Sequence, residues 1–135
     1  MPDVLIVPES PARRDCVFLP FECSWREAGP DVGWLHLAGE LDIASTPELE
    51  RTLRESQFQM RLVVLDLREL MFMDSCGVRE IVNAGIGARE AGRQLVVLRG
   101  PPNVHRMFSL TGSLDKVEFV EPGSLLAPAA AELRR

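Results

Sequence analysis

The residues best placed to do chemistry form one short phrase, Asp74-Ser75-Cys76-Gly77. A hydroxyl, a thiol and a carboxylate stand side by side where an apolar run ends and an amphipathic segment begins. Several reactions can be tested against the spacing. A nucleophile elbow of the form G-x-S-x-G needs glycine two before the serine, and Met73 stands there. A phosphatase loop C-x5-R starting at Cys76 needs arginine where Val82 sits. Asp66, near the end of an apolar run, invites comparison with a phospho-acceptor aspartate. That chemistry needs further carboxylates for Mg²⁺ and a lysine after the last strand; Trp25-Arg26-Glu27 supplies no acidic pair, and Lys116, the only lysine, precedes the last strand. Asp66 is therefore read as a carboxylate hydrogen-bonding the loop at a strand end.

Metal and cofactor chemistry have no foothold either. Cys16, Cys23 and Cys76 form no C-x-x-C pair, and His36 and His105 lie far from any cysteine cluster. Three thiols read as reduced, with Cys16 and Cys23 as small buried hydrophobes; His36 and His105 read as surface or satisfied core residues. Gly85-Ile86-Gly87 falls inside a helical pattern with Glu90 where a third glycine would stand, so it is no dinucleotide loop. These glycines are expected to allow close helix–sheet packing. No cofactor, no metal site and no enzyme activity are expected.

The elements that must hold the phrase follow from periodicity. Leu62 to Leu67 (LVVLDL) and Gln94 to Leu98 (QLVVL) are apolar on both sides, as interior parallel strands are. RELMFM (68–73) reads as a short turn. Val78, Ile81, Val82 and Ile86 mark the buried face of a helix from Ser75 to about Gly92. Thr46-Pro47-Glu48 starts another helix, with threonine as cap and Leu49 and Leu53 inward, ending near Gln57. Cys16 to Trp25, interrupted by Pro20, reads as an edge strand, Ala28-Gly29-Pro30-Asp31 as a turn, and Gly33 to Ala38 as the antiparallel partner strand. Val104, Met107, Phe108 and Leu110 suggest a short helix closed by Gly112, and Val117 to Val120 a last strand. The fold class is α/β: a single-layer mixed sheet, mainly parallel with an antiparallel N-terminal edge strand, and helices packed against it. The divisions are a flexible N-terminal arm (1–14), one domain (15–122) and a C-terminal tail (123–135) with a possible short helix.

The 135 residues carry a net charge of −5, which argues against nucleic-acid binding. No apolar run nears the roughly 18–20 residues of a spanning helix, and the N-terminus lacks the basic start of a signal peptide. No membrane insertion and a cytoplasmic location are expected.

In order along the chain stand GELD (Gly39 to Asp42), Thr46-Pro47-Glu48-Leu49, LVVLDL, FMDSCGV (Phe72 to Val78), QLVVL and PPNVHRMFSLTG (Pro101 to Gly112). This set resembles the STAS domain, and specifically the bacterial anti-sigma factor antagonists, over about Trp34 to Val120. The resemblance implies that Ser75 is phosphorylated by a cognate anti-sigma factor, a serine kinase with a histidine-kinase-like ATPase fold. It implies that the unphosphorylated form binds that factor and releases sigma, and that a serine phosphatase acts on phosphorylated Ser75. Partner-binding residues carried over by position are Asp42, Asp74, Ser75, Cys76 and Gly77. Cys76 departs from the usual serine or threonine. That departure keeps an alternative open, a non-phosphorylated STAS scaffold or small-ligand-sensing module, with a redox-active Cys76 as a variant.

Overall fold

The computed structural model describes residues 20–121, so the expected arm, residues 16–19 of the expected edge strand, and the tail lie outside the described residues. The elements are β1 (Glu22–Gly29), β2 (Val32–Leu41), α1 (Thr46–Gln59), β3 (Leu62–Met73), α2 (Ser75–Glu90), β4 (Gln94–Leu98), α3 (Pro102–Leu110) and β5 (Phe119–Val120). The five strands lie in sequence order across one sheet. β1 and β2 pair antiparallel, and every later neighbour pairs parallel. The expected fold class is the observed one.

Because each parallel crossover steps the same way along the sheet, α1, α2 and α3 all fall on one face. Leu49 and Leu53 of α1, Val78 and Ile81 of α2, and Val104 and Phe108 of α3 share a core with Leu35, Leu37, Val63, Leu65 and Val97 of the strands. The alternate strand residues Val32, Leu62, Val64, Val96 and Leu98 form a second cluster on the other face, with Trp34 and Val120 beside it. One face is therefore committed to helices.

Several boundaries differ from expectation. β1 runs on through Ala28 and Gly29, and the turn is only Pro30-Asp31, with Asp31 at φ 61°. Pairing with β2 sets that boundary and draws Ala28 and Gly29, read as part of the turn, into the strand. RELMFM is no turn. It completes β3, and two bulges hide the fact, because Asp66 and Glu69 face His36 and Ala38, and Leu70 and Phe72 face Gly39 and Glu40. Each bulge adds one residue to β3, so the buried residues become Leu67, Leu70 and Met73, three apart. A spacing of three matches no strand template.

The helices shift by small amounts. Ser45, not Thr46, is the N-cap position of α1, and Leu49 and Leu53 are buried as expected. On α2, Ile86 is 38% exposed while Ala88 is buried. At 100° per residue, position 88 returns to within about 20° of Ile81, whereas position 86 swings well away. Leu110 likewise lies exposed at the end of α3. The last strand is only Phe119–Val120. Gly85 and Gly87 do not pack against the sheet, because an added Cβ at either would meet nothing within 4 Å.

Candidate functional site

Two strand ends build the site. The Asp74 N–H donates to the Leu41 carbonyl at 3.1 Å, which brings the end of β3 beside the end of β2 and sets Asp42 and Ser75 on neighbouring connections. Asp42 shapes its own loop: its carboxylate Oδ1 accepts from the Ala44 and Ser45 N–H groups and from the Ser45 hydroxyl. Ile43, at the tip, is 70% exposed.

Asp74 caps α2 from extended backbone. Its Oδ1 accepts from the N–H of Cys76 at 3.0 Å and of Gly77 at 3.2 Å. Aspartate at this position satisfies amides that would otherwise lack partners and places negative charge at the positive end of the helix. Ser75 is thus the first helical residue and is exposed. Asp74, not Ser75, holds the cap position, which leaves the serine side chain turned to solvent. The amides a phosphate at Ser75 would seek are already occupied.

Gly77 has a steric reason. An added Cβ would stand 2.8 Å from Leu41 Cδ2 and 2.8 Å from Met73 Cγ, so only glycine lets the first turn of α2 rest on the two strand ends. Cys76 is half-buried, and its link to the cap is through its backbone N–H, which any residue supplies. All five sequence-selected residues, Asp42, Asp74, Ser75, Cys76 and Gly77, therefore lie on this one edge.

Sequence reading missed the apolar members. Met71 is 56% exposed and Phe72 45% exposed on the final stretch of β3, close in sequence to Ser75. The Asn103 side-chain amide donates to the Met71 carbonyl at 2.9 Å and ties the start of α3 to the same edge. The signal was present in the run of three large apolar residues, Met71-Phe72-Met73, just before the Asp-Ser pair.

Other candidates resolve into structural roles. Asp66 lies inside β3, not at its end, and is buried. It accepts from Trp34 Nε1 at 3.1 Å, from the Arg68 N–H at 3.1 Å, and from Arg68 Nε and Nη2 at 3.0 Å each. Burial works to raise its pKa, yet the bonds from Arg68 and Trp34 together hold the carboxyl below its ordinary value. Burial pushes the Cys23 thiol up to about 11, which suits a packed hydrophobe. His105 is not a satisfied core histidine: its Nδ1 is buried without a hydrogen-bond partner, and its ring stands edge-on to Phe119. Burial, aided by Arg99, lowers its pKa. Among the described residues no three His, Cys, Asp or Glu side chains gather as a metal site, and no helix is long and apolar enough to cross a membrane.

The STAS domain model matches residues 27–124, most of the chain. The chain belongs to the STAS domain family. An anti-sigma-B factor antagonist of Listeria monocytogenes is 31% identical over 86 residues, which cover 63% of this STAS protein and 75% of that one. Two solved structures share the fold. The anti-sigma factor antagonist SpoIIAA in its unphosphorylated form superposes with TM-score 0.67 at 17% identity, covering 84% of this chain and 96% of that one. The Bacillus cell fate determinant SpoIIAA in its phosphorylated form gives TM-score 0.63 at 16% identity, covering 84% and 100%.

Proposed function

We propose that this STAS protein is an anti-sigma factor antagonist controlled at Ser75. Its unphosphorylated form binds a cognate anti-sigma factor that is also a serine kinase with a histidine-kinase-like ATPase fold, and so releases sigma. Phosphorylation of Ser75 ends that binding, and a serine phosphatase restores it. The observation that carries this reading is the division of labour at the start of α2: Asp74 does the capping, so the exposed Ser75 hydroxyl is left to a partner. The relatives named as antagonists, one of them known in phosphorylated and unphosphorylated forms, support the same reading.

The physical consequence is a switch by contact. Phosphate adds about −1.5 to −2 charge. With the helix amides already held by Asp74, that charge turns outward, beside Asp74 and near Asp42, into a surface where Ile43, Met71 and Phe72 are exposed. Desolvating it against a partner built for a hydroxyl is costly, and about 2.7 kcal/mol already weakens binding ~100-fold. Nothing in the fold needs to move. Cys76 does not obstruct this, since only its backbone enters the cap.

The test is incubation of the full chain with its anti-sigma kinase and ATP, with the site mapped by mass spectrometry. Incorporation at Ser75 is expected. Ser75→Ala should bind the kinase like the native chain, and Ser75→Asp should bind at least ~100-fold more weakly. Equal affinity of the two variants would refute the switch.

A further inference from the structure

The sheet face opposite the helices holds a hollow of about 460 Å³, away from the Ser75 edge. Its wall is built across three strands. Arg26 of β1 stands opposite Trp34 of β2, and His36 of β2 stands beside Asp66 of β3, so these side chains share a face. Arg68 and Glu69, turned outward by the first bulge of β3, complete the rim. We propose that this hollow binds a small aromatic carboxylate.

Three features point to that class. First, the indole of Trp34 is fixed, because its Nε1 is bonded to the buried Asp66. A ring held in one orientation is a stacking platform with little entropy left to lose. Second, Arg68 is held in one pose, since Nε and Nη2 both lie 3.0 Å from Asp66. Its Nη1 keeps two N–H donors for something else, and half of the side chain remains in solvent. A guanidinium presented in this way matches a planar carboxylate. Arg26 offers a second, exposed guanidinium from β1, beside Trp34 and two strands away from Arg68. Third, Asp66 and Glu69 offset the two arginines in formal charge. With no excess positive charge the hollow disfavours a phosphate dianion, and a monoanion is held by the directed N–H donors of Arg68 and not by net charge. The volume lies within the range of small-molecule sites.

Trp25 and Trp34 are the only two tryptophans of the chain. The Trp34 indole N–H reports on the hollow directly, whereas the Trp25 indole packs on the helix side of the sheet, opposite Leu35, and serves as an internal reference. The experiment is an NMR titration of the full-length ¹⁵N-labelled chain with 2-naphthoate. Parallel titrations use 2-naphthalenemethanol, which keeps the ring without the charge, acetate, which keeps the charge without the ring, and inorganic phosphate. Saturable shifts of the Trp34 indole and Arg68 Nε signals are expected with 2-naphthoate alone, each other probe binding at least tenfold more weakly. Arg26→Ala should weaken 2-naphthoate tenfold or more at an unchanged melting temperature, and Arg26→Lys should recover part of the loss. The proposal is overturned by an absence of saturation with 2-naphthoate, by comparable binding of phosphate or the alcohol, or by native affinity in Arg26→Ala. None of these outcomes depends on the phosphorylation of Ser75.

Discussion

Asp66 lies within β3 and Asp74 directly after its end, eight residues apart, and they do opposite work. Asp66 lies on the sheet face opposite the helices and gathers an indole, a backbone amide and a guanidinium. Its bond to the Arg68 N–H takes up an amide beside the extra residue of the first bulge, so the bulge has no unmet donor at that point. Asp74 stands past the second bulge and gathers only two backbone amides of its own helix. One carboxylate joins strands, and the other frees a serine. The difference shows how a carboxylate next to a candidate phosphorylation site can serve the backbone alone, while a more heavily bonded one borders a separate hollow.

The largest expected effect of breaking this contrast is at Asp66. Asp66→Ala leaves the Trp34 N–H and the Arg68 N–H without their acceptor and strips Arg68 of its partner. A loss of about 2–3 kcal/mol is expected, at the range for charge-assisted hydrogen bonds and not beyond it, because Arg68 keeps half its side chain in water. Chemical denaturation at pH 7 measures it. The sign with pH also follows. The folded-state pKa of Asp66 lies below the unfolded value. Its contribution is therefore complete above the unfolded carboxyl value, about pH 4, and disappears as pH falls through the folded value. The gap between the native chain and Asp66→Asn should hold from pH 7 to about 5 and shrink below about 4; a gap independent of pH would show that the ionised carboxylate is not what matters.

These two roles were unequally legible in the sequence. LVVLDL, QLVVL and the Leu49–Leu53 pair announced strands and helix because burial there follows the ordinary periods. The Asp-Ser phrase was legible as a candidate site because its neighbours in sequence are its neighbours in space. The bulged end of β3 was not, since Leu67, Leu70 and Met73 repeat every three residues only after two insertions that pairing with β2 reveals. Nor was the Trp34–Asp66 bond, whose partners are 32 residues apart. The cap of α1 was read one position late, at Thr46 for Ser45, and at α2 the cap falls on Asp74, which leaves Ser75 facing solvent. Gly85 and Gly87 were misread because a helical pattern says which residues face the sheet but not how near the sheet comes.

Asp74 provides the smaller effect and the sharper test of the contrast. Asp74→Ala removes a cap at a solvent-facing helix start, for an expected loss of about 1 kcal/mol. If its role is helix stability, a gain elsewhere on α2 should offset it. Gly85→Ala and Gly87→Ala supply that gain, because each adds a methyl group into open space and each is expected to stabilise by about 0.5–1 kcal/mol. The variant Asp74→Ala/Gly87→Ala should therefore return close to native stability, since positions more than a turn apart with no shared partner combine additively. The same Gly87→Ala change should leave the Asp66→Ala deficit standing at nearly its full size once its own increment is subtracted. Restored stability in the Asp74 double variant together with lost kinase binding would show that the cap also fixes how Ser75 is presented. Restored stability with restored binding would mean that the exposed hydroxyl needs only a folded helix beneath it.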